Sequence, residues 1–324
     1  MKTLSALSCA TLLPGCSMVV LKPSGYIATQ QAQLLVISTV LMLLIIVPVI
    51  VLTLVFAWRY RASNTDALYE PDWDHSIQLE LVIWSAPLLI IIALGALTWI
   101  GTHTLNPYRA LDARSATPGV EPIDVQVVAL DWKWLFIYPK QGIAVVNELA
   151  APVDVPVRFS ITSSSVMNSF FIPALAGQIY AMPTMQTKLH AIINKPGEYE
   201  GFSANYSGAG FSGMHFKFHG MSPADFESWV QKAKAGGQAL SRDAYLQLEK
   251  PTEREPVRAY GTVAAGLFDA VVNRCVAAGS PCLHAVMAAD MRRASAALNW
   301  RPESQICTAA DAATIAWLPV SEWK

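Results

Sequence analysis

The sequence predicts a membrane-anchored protein of mixed class, in which a two-helix transmembrane hairpin precedes an all-β sandwich and a short helical C-terminal region. Three features predict this order: two long uncharged apolar runs, a middle segment in which apolar and polar residues alternate, and a last segment with apolar residues at helical spacing. The 324 residues are 53% hydrophobic and only 15% charged, whereas soluble domains are about 25% charged. The two runs account for this apolar excess.

The N-terminus has the layout of an export signal. Lys2 precedes a short apolar run, Leu4 to Leu13, that is too short to span a bilayer. The sequence Leu-Pro-Gly-Cys that ends at Cys16 resembles a bacterial lipobox, in which the signal is removed before the cysteine and the cysteine receives a lipid. We therefore expect residues 1–15 to be a lipoprotein signal peptide and Cys16 to be lipidated. The alternative is an ordinary signal with an incidental cysteine.

Two uncharged runs predict two spanning helices. Leu34 to Ala57 gives 24 residues, about 36 Å of helix at 1.5 Å per residue. Leu81 to Ile100 gives 20 more, with tryptophans near both ends, where interfacial aromatic residues usually lie. If Cys16 lies outside the membrane, the loop between the helices is cytoplasmic and everything after Ile100 is exported.

The residue pattern of the exported part changes twice. From about Ile123 to Met221, short alternating runs broken by Pro, Gly and Asn predict an antiparallel sandwich or barrel. Ser222, with Asp225 three residues later, then marks a helix start. The expected organisation is a signal peptide (1–15), an exported segment (16–33), helix one (34–57), a cytoplasmic loop (58–78), helix two (79–100), the β domain (122–221), a helical C-terminal region (222–277) and a tail (278–324).

Charge and cysteines exclude some function classes. A net charge of -1 with no basic cluster argues against nucleic-acid binding. Cys275, Cys282 and Cys307 lie in the exported part, where one disulfide with one thiol left over is expected. Three pairings stay open. Cys282 and His284 alone are too few ligands to indicate a metal site.

Four segments carry a family resemblance: WRYRASN after the first helix, YEPDWDHSIQLELVIWSAPLL entering the second, DWKWLFIYP in the sandwich and NYSGAGFSGMHFKF near its end. In these four segments and in their order, the chain resembles subunit II of haem-copper terminal oxidases, in the quinol oxidase branch of cytochrome bo type. The resemblance covers the chain to about residue 277. It implies a cupredoxin-like sandwich.

The resemblance also indicates a lost copper centre. Copper-bearing relatives hold two copper ions with an upstream His, a loop with two cysteines and a glutamate, a downstream His and a Met. Here Asn168 stands in place of the upstream His, and SGAGFSGMHF contains no cysteine. Soft thiolates are what such a site needs. The degenerate copper-site positions are Asn168, Gly210, Met214, His215, His219 and Met221. We expect His215 and His219 in a polar surface loop; the alternative is a weak copper site with a methionine.

Glu80 is a proton-path candidate. It precedes the uncharged run of the second helix and matches a family glutamate linked to the entrance of a proton path into subunit I. An ionisable group at that depth is a functional candidate. The alternative is an interfacial carboxylate favoured by the helix N-terminus.

Trp132, Trp134, Phe136 and Tyr138 alternate, which in a strand places all four on one face. In copper-bearing relatives a similar patch lies on the electron route. Without copper we prefer core packing or a contact face for partner subunits.

The resemblance implies a non-redox subunit II of a proton-translocating ubiquinol oxidase, with no catalytic residue, metal or cofactor on this chain. Haems, copper and quinone are expected in subunit I. The expected partners are subunit I, smaller membrane subunits, the lipid bilayer, and quinol through the complex. The expected location is the bacterial inner membrane, two-pass and lipid-anchored, with the C-terminal domain in the periplasm. The alternative is a membrane-anchored cupredoxin-like lipoprotein that acts as a binding or assembly module.

Overall fold

The computed structural model describes residues 18–68, 70, 72–111 and 119–297. Within these ranges the helices are α1 Tyr26–Arg59, α2 Ile77–Thr104, α3 Pro223–Gly236, α4 Arg242–Leu248, α5 Leu267–Val272 and α6 Leu283–Ala297. The strands are β1 Ile123–Leu130, β2 Lys133–Tyr138, β3 Ile143–Val146, β4 Glu148–Pro152, β5 Pro156–Ser163, β6 Asn168–Phe171, β7 Ile179–Ala181, β8 Thr187–Ile192, β9 Gly197–Ser203, β10 His215–Met221, β11 Gln238–Leu240 and β12 Arg258–Val263. Short 3-10 turns occupy Val19–Leu21 and Phe211–Gly213.

The predicted hairpin is confirmed: α1 and α2 are both long and apolar enough to cross a membrane. Each helix continues through its internal proline, Pro48 or Pro87, as membrane helices tolerate. Helix α1 begins eight residues before Leu34. The added turns have a packing reason, because Ile27 and Ala28 are buried against the sandwich.

The sandwich has two sheets. One has seven strands in the order β11-β12-β3-β2-β1-β5-β8, and the other has five in the order β4-β10-β9-β6-β7. Strands β1 and β5 pair in parallel, as do β4 and β10, whereas β1–β2, β2–β3, β5–β8 and β9–β10 are antiparallel. The sheets pack face to face, because apolar and polar residues that alternate along the strands give each sheet an apolar face to bury.

An aromatic cluster forms the core between the sheets. The Trp134 ring meets Phe170 edge-on at 5.4 Å between centroids, and Phe136 lies 4.9 Å from Phe216. Phe170 and Phe216 stack at 5.5 Å. Such rings bury large apolar areas and pack with defined geometry. Met214, one of the degenerate copper-site positions, belongs to this core.

Strand β2 is buried on both faces. Its side chains Leu135 and Ile137 point away from the sandwich core into a second apolar cluster, with Tyr245 of α4 and Phe268 of α5. The C-terminal helices thus cover the outer face of the seven-stranded sheet. Because both faces are covered, apolar residues occupy every position of this strand except Lys133.

The helical C-terminal region also contains two strands that the sequence did not predict. Strand β12 pairs antiparallel with β3, with Arg258 opposite Val146 and Tyr260 opposite Ala144, and β11 pairs in parallel with β12. An uncovered edge of β3 would expose unpaired backbone groups. The C-terminal region therefore completes the sandwich sheet.

The hairpin contacts the sandwich at two points, where α1 begins and just after α2 ends. Gly25, which caps α1, donates its N–H to the Ala174 carbonyl at 2.8 Å. After α2, the Pro107 carbonyl accepts the backbone N–H of His190 at 3.1 Å. Both ends of the hairpin are thus hydrogen-bonded to the sandwich.

Candidate functional site

Four of the degenerate copper-site positions, Asn168, Gly210, Met214 and His215, lie at one end of the sandwich, where the β5–β6 and β9–β10 connections approach each other. His219 and Met221 lie toward the other end of β10. Asn168, the first residue of β6, is only 1% exposed. Its Nδ2 donates to the Val166 carbonyl at 3.1 Å, and its Oδ1 accepts from Ser203 Oγ at 3.1 Å. The amide links the β5–β6 loop to the end of β9, and its oxygen already accepts a hydrogen bond within the protein.

Gly210 lies beneath the indole ring of Trp132. A Cβ added at Gly210 would lie 2.5 Å from the ring. The Trp132 Nε1 also donates to the Ser207 carbonyl at 3.1 Å. The ring therefore fills the space above the loop and holds the loop closed.

Met214 belongs to the core. Its side chain is 1% exposed and packs in the cluster between the sheets. Its carbonyl accepts the N–H of Ser203 at 3.2 Å. Met221, at the end of β10, is partly buried, and its carbonyl accepts the N–H of Val153 at 2.9 Å. The two thioethers lie at opposite ends of one strand.

The prediction that His215 and His219 lie in a loop was wrong, because residues 215–221 form strand β10. His215, Lys217 and His219 point outward from the sheet, and Phe216 and Phe218 point into the core. The alternation of the segment satisfies a buried face and a polar face. The two histidines share a face but lie about 13 Å apart at about 3.3 Å per residue, too far to bind one ion together.

Both nitrogens of the His215 ring already have protein partners. Nδ1 lies 2.7 Å from Glu200 Oε1, and Nε2 lies 3.1 Å from the Ser212 carbonyl. His219 Nε2 lies 3.4 Å from Glu148 Oε1, which also accepts the Trp229 indole N–H at 3.0 Å. These rings take part in a surface network of carboxylates across β4, β9 and β10.

The residues at this end do not fit the binuclear copper group of the resembling family. The sequence has no cysteine between Cys16 and Cys275, so thiolates that could bridge two copper ions are absent. The upstream position carries an amide that is already hydrogen-bonded. Among the described residues, no group of three or more His, Cys, Asp or Glu is arranged to hold a metal ion.

Most of the aromatic cluster is core. Trp134, Phe136 and Tyr138 lie in β2 and are fully buried. Tyr138 Oη donates to the Ala150 carbonyl at 2.8 Å, and burial raises the pKa of this phenol far above its ordinary value. Trp132 departs from the expected strand: it precedes β2 with a φ of 66° and covers Gly210.

Glu80 lies in the first turn of α2, and its backbone N–H bonds the Ser76 carbonyl at 2.9 Å. Its side chain is exposed. A carboxylate at this point faces the positive end of the helix dipole. It also lies at the end of the hairpin that is remote from the sandwich.

A disulfide joins Cys275 to Cys282 in the structure, with a Cα–Cα distance of 4.8 Å. Of the three pairings left open by the sequence, this is the one that the structure forms. Cys16 and Cys307 lie outside the described residues. The bridge fixes the start of α6 beside the end of α5, where Leu283 N–H also bonds the Asn273 carbonyl at 2.9 Å.

Sequence reasoning missed Lys133, a lysine that is only 1% exposed. Its Nζ donates to the Lys250 carbonyl and to Thr252 Oγ1, both at 2.7 Å. Burial is the main cause that lowers the pKa of this amine. The signal was its place between two tryptophans in an otherwise apolar strand. It anchors the loop after α4 to strand β2.

Comparison with known families gives two matches. Residues 123–220 match the family described as cytochrome C oxidase subunit II, periplasmic domain. Residues 234–279 match the COX aromatic rich motif. The two regions coincide with the sandwich and with the C-terminal region that completes its larger sheet.

Curated relatives match over most of the chain. It is 52% identical over 263 residues to the cytochrome bo(3) ubiquinol oxidase subunit 2 of Pseudomonas putida, which covers 81% of this chain and 82% of that protein. It is 49% identical over 271 residues to the ubiquinol oxidase subunit 2 of Acetobacter aceti, covering 84% and 87%. Among solved structures, the periplasmic domain of cytochrome oxidase subunit II of Bradyrhizobium japonicum matches at 22% identity and a TM-score of 0.35, over 36% of this chain and 96% of that one.

Proposed function

Because the chain belongs to the family of ubiquinol oxidase subunit 2, a subunit of an oxidoreductase complex, we propose that it serves that complex without a redox centre of its own. The observation that carries the proposal is the degenerate copper site. Its amide is hydrogen-bonded, its loop is closed by Trp132, and no thiolate is available. Electrons from a membrane quinol would then reach oxygen through haems, copper and quinone held by subunit I.

The direction of α1 indicates how the chain meets subunit I. The helix starts beside Ala174, and five residues after its first residue Gln31 lines a small cavity of about 70 Å³ with Gly177 and Leu189. It therefore runs along β8 toward the Thr187 end of the strand, which is the end with the degenerate copper site. We infer that this end of the sandwich faces the membrane and the outer surface of subunit I.

Exposed apolar side chains support this orientation. Val166, Met167 and Tyr206 lie in the loops of that end and are between 39% and 75% exposed. The Asn205 Nδ2 donates to the Met167 carbonyl at 3.3 Å, which links the two loops. Apolar and aromatic side chains are enriched at the centres of protein interfaces.

Cys16 is proposed as the lipid-bearing residue of the mature chain. The chain is proposed to lie in the bacterial inner membrane, with the sandwich in the periplasm. Support comes from the lipobox sequence and from the capacity of α1 and α2 to span. Two spanning helices already anchor the chain, so the lipid would position the N-terminus. Mass spectrometry of the mature chain should find a diacylated cysteine at its first position; an unmodified N-terminus would contradict this.

Glu80 is proposed to lie at the cytoplasmic mouth of a proton path into subunit I. It is exposed at the start of α2, where an ionisable group can exchange protons with water. Glu80→Ala should slow proton-coupled turnover and leave assembly intact. Glu227→Ala, on the exposed side of α3, is the matched control, and unchanged turnover in Glu80→Ala would contradict the role.

The donor is tested with the complex purified from native membranes through a tag on this chain. Oxygen uptake with a reduced ubiquinone analogue, but not with reduced cytochrome c, is the expected result. Uptake with cytochrome c would contradict the absence of a redox centre. A preparation without a large haem-containing partner would instead favour the lipoprotein binding module.

A further inference from the structure

Four exposed aromatic and basic residues follow one another where α1 ends: Trp58 and Arg59 are its last two residues, and Tyr60 and Arg61 come directly after it. They begin directly after Ala57, the last residue of the uncharged run, so they lie at the depth of the lipid headgroups when α1 spans a bilayer. Trp58 is 70% exposed.

The guanidinium of Arg61 is held in a fixed position. Nη1 donates to the Trp58 carbonyl at 3.1 Å, Nε donates to Ser63 Oγ at 2.9 Å, and the group lies 5.3 Å from the centroid of the Trp58 ring. A guanidinium has five N–H donors, and two are used here, which leaves three of the five. Contact with the ring reduces the mobility of the group further.

Arg59, two residues earlier in the chain, has its guanidinium 5.9 Å from the centroid of the Tyr60 ring. Asn64 Nδ2 donates to the Arg59 carbonyl, which caps the helix end. The following loop carries several carboxylates, yet within residues 18–68, 70, 72–111 and 119–297 neither Arg59 nor Arg61 forms an ion pair. Two oriented cations are thus left for an anion from outside the chain.

We propose that Arg59 and Arg61 bind the phosphate of an anionic phospholipid headgroup, with Trp58 and Tyr60 packed at the interface beside the acyl chains. Arginine forks match phosphate oxygens in a bidentate manner. The lipid is favoured over free phosphate because both aromatic side chains are exposed at the same level as the guanidinium groups. The proposal requires only that α1 spans the membrane and does not depend on the electron donor of the complex.

The test uses the purified complex, delipidated in detergent and returned to nanodiscs of phosphatidylcholine with or without phosphatidylglycerol. We compare Arg59→Gln/Arg61→Gln with Arg59→Lys/Arg61→Lys, and use Arg242→Gln, an exposed arginine of the exported domain, as the control. The readouts are native mass spectrometry of bound phosphatidylglycerol and the gain in Tm that this lipid gives. Haem content and oxygen uptake, measured separately, report on the proposed function.

The glutamine pair should retain phosphatidylglycerol about 30-fold more weakly, since each cation near an anionic lipid surface contributes about 1 kcal/mol. The lysine pair should keep part of the retention and lose the bidentate share, and the control should match the wild type. Equal retention by the glutamine pair, or an equal loss in Arg242→Gln, would overturn the site. Equal protection by inorganic phosphate in detergent would overturn the lipid as its ligand.

Discussion

Gly25 lies against the backbone of Leu175 so closely that any side chain at Gly25 would overlap the Leu175 carbonyl, and a Cβ there would also lie 2.9 Å from the carbonyl of Ile192. The start of α1 is therefore packed against the backbone of the sandwich with no room for a side chain at Gly25. This contact fixes where α1 leaves the domain.

Gly25→Ala should displace α1 from the sandwich, because backbone atoms on both sides cannot move aside as flexible side chains do. Overpacking of this kind costs about 1 to 3 kcal/mol. The expected result is a lower Tm of the full chain in detergent and faster proteolysis between sandwich and hairpin. Gly236→Ala is the control, because a Cβ there has no neighbour within 4 Å. Equal Tm values for the two variants would refute the close fit.

Lys133→Met should change the pH dependence of stability. Burial lowers the pKa of Lys133 below its usual 10.5, so between the lowered pKa and 10.5 the unfolded chain binds more protons than the folded chain. Stability attributable to this residue therefore rises with pH through that window and is lost as pH falls through the folded pKa. Thermal unfolding at pH 8 to 10.5 should show this rise for wild type and a flatter profile for Lys133→Met. Matching profiles would exclude it.

Lys133→Ala tests the packing of the same side chain, because Lys133→Met removes the same hydrogen bonds and leaves most of the volume filled. It removes the donor to the Lys250 carbonyl and Thr252 Oγ1, and it leaves a cavity. Truncation should therefore cost about 2 to 4 kcal/mol, more than the methionine variant, which keeps most of the volume. If the two variants lost equal stability at pH 7, the packing of the side chain would not matter.

Glu249→Gln should stabilise the domain at neutral pH. Burial raises the pKa of Glu249 above its usual 4.5, so the folded state holds the proton more tightly than the unfolded state. Stability is then fully present below pH 4.5 and is lost as pH rises through the folded pKa. The glutamine cannot ionise, so its Tm should fall less between pH 4.5 and 7. The exposed Glu227→Gln should follow wild type, and a parallel decline in Glu249→Gln would contradict the prediction.

Removing the bridge with Cys275→Ser/Cys282→Ser should cost about 2.5 kcal/mol, the chain-entropy estimate for a loop of this length. The loss should be local: amide exchange should quicken in α6 and stay slow in β2, because Tyr245 and Phe268 of the second apolar cluster also cover this strand. Cys307→Ser is the comparison, with no change expected. Loss of protection across the whole sandwich would mean that the bridge supports the sheet itself.

Local pattern was sufficient for much of the fold. The uncharged runs predicted α1 and α2, and the capping pattern at Ser222 is confirmed by its hydroxyl, which accepts the Asp225 N–H at 3.2 Å. Strand β10 also had a local signal, since histidine, phenylalanine and lysine alternate through it. The comparison with a copper loop, which favours irregular backbone, outweighed that alternation and gave the wrong prediction.

Other features depend on residues distant in the chain. Strand β12 is a strand because the edge of β3 needs a partner, and Arg258 is 112 residues after Val146, its partner in the sheet. Lys133 is buried because the Lys250 carbonyl and Thr252 lie over it. Neither contact can be predicted from a short stretch of sequence, because the partners lie far apart in the chain. A lysine inside an apolar strand does indicate that a polar partner is required.

The late position of β12 has a consequence for how the chain matures. During synthesis from the N-terminus, β3 emerges long before the strand that covers its edge, and α4 and α5, which cover its sheet, also come late. Until then the larger sheet lacks two strands and exposes an apolar face, a state open to aggregation and proteolysis. A chain stopped before residue 258 would therefore keep the residues of the degenerate copper site and still be a substrate for quality control.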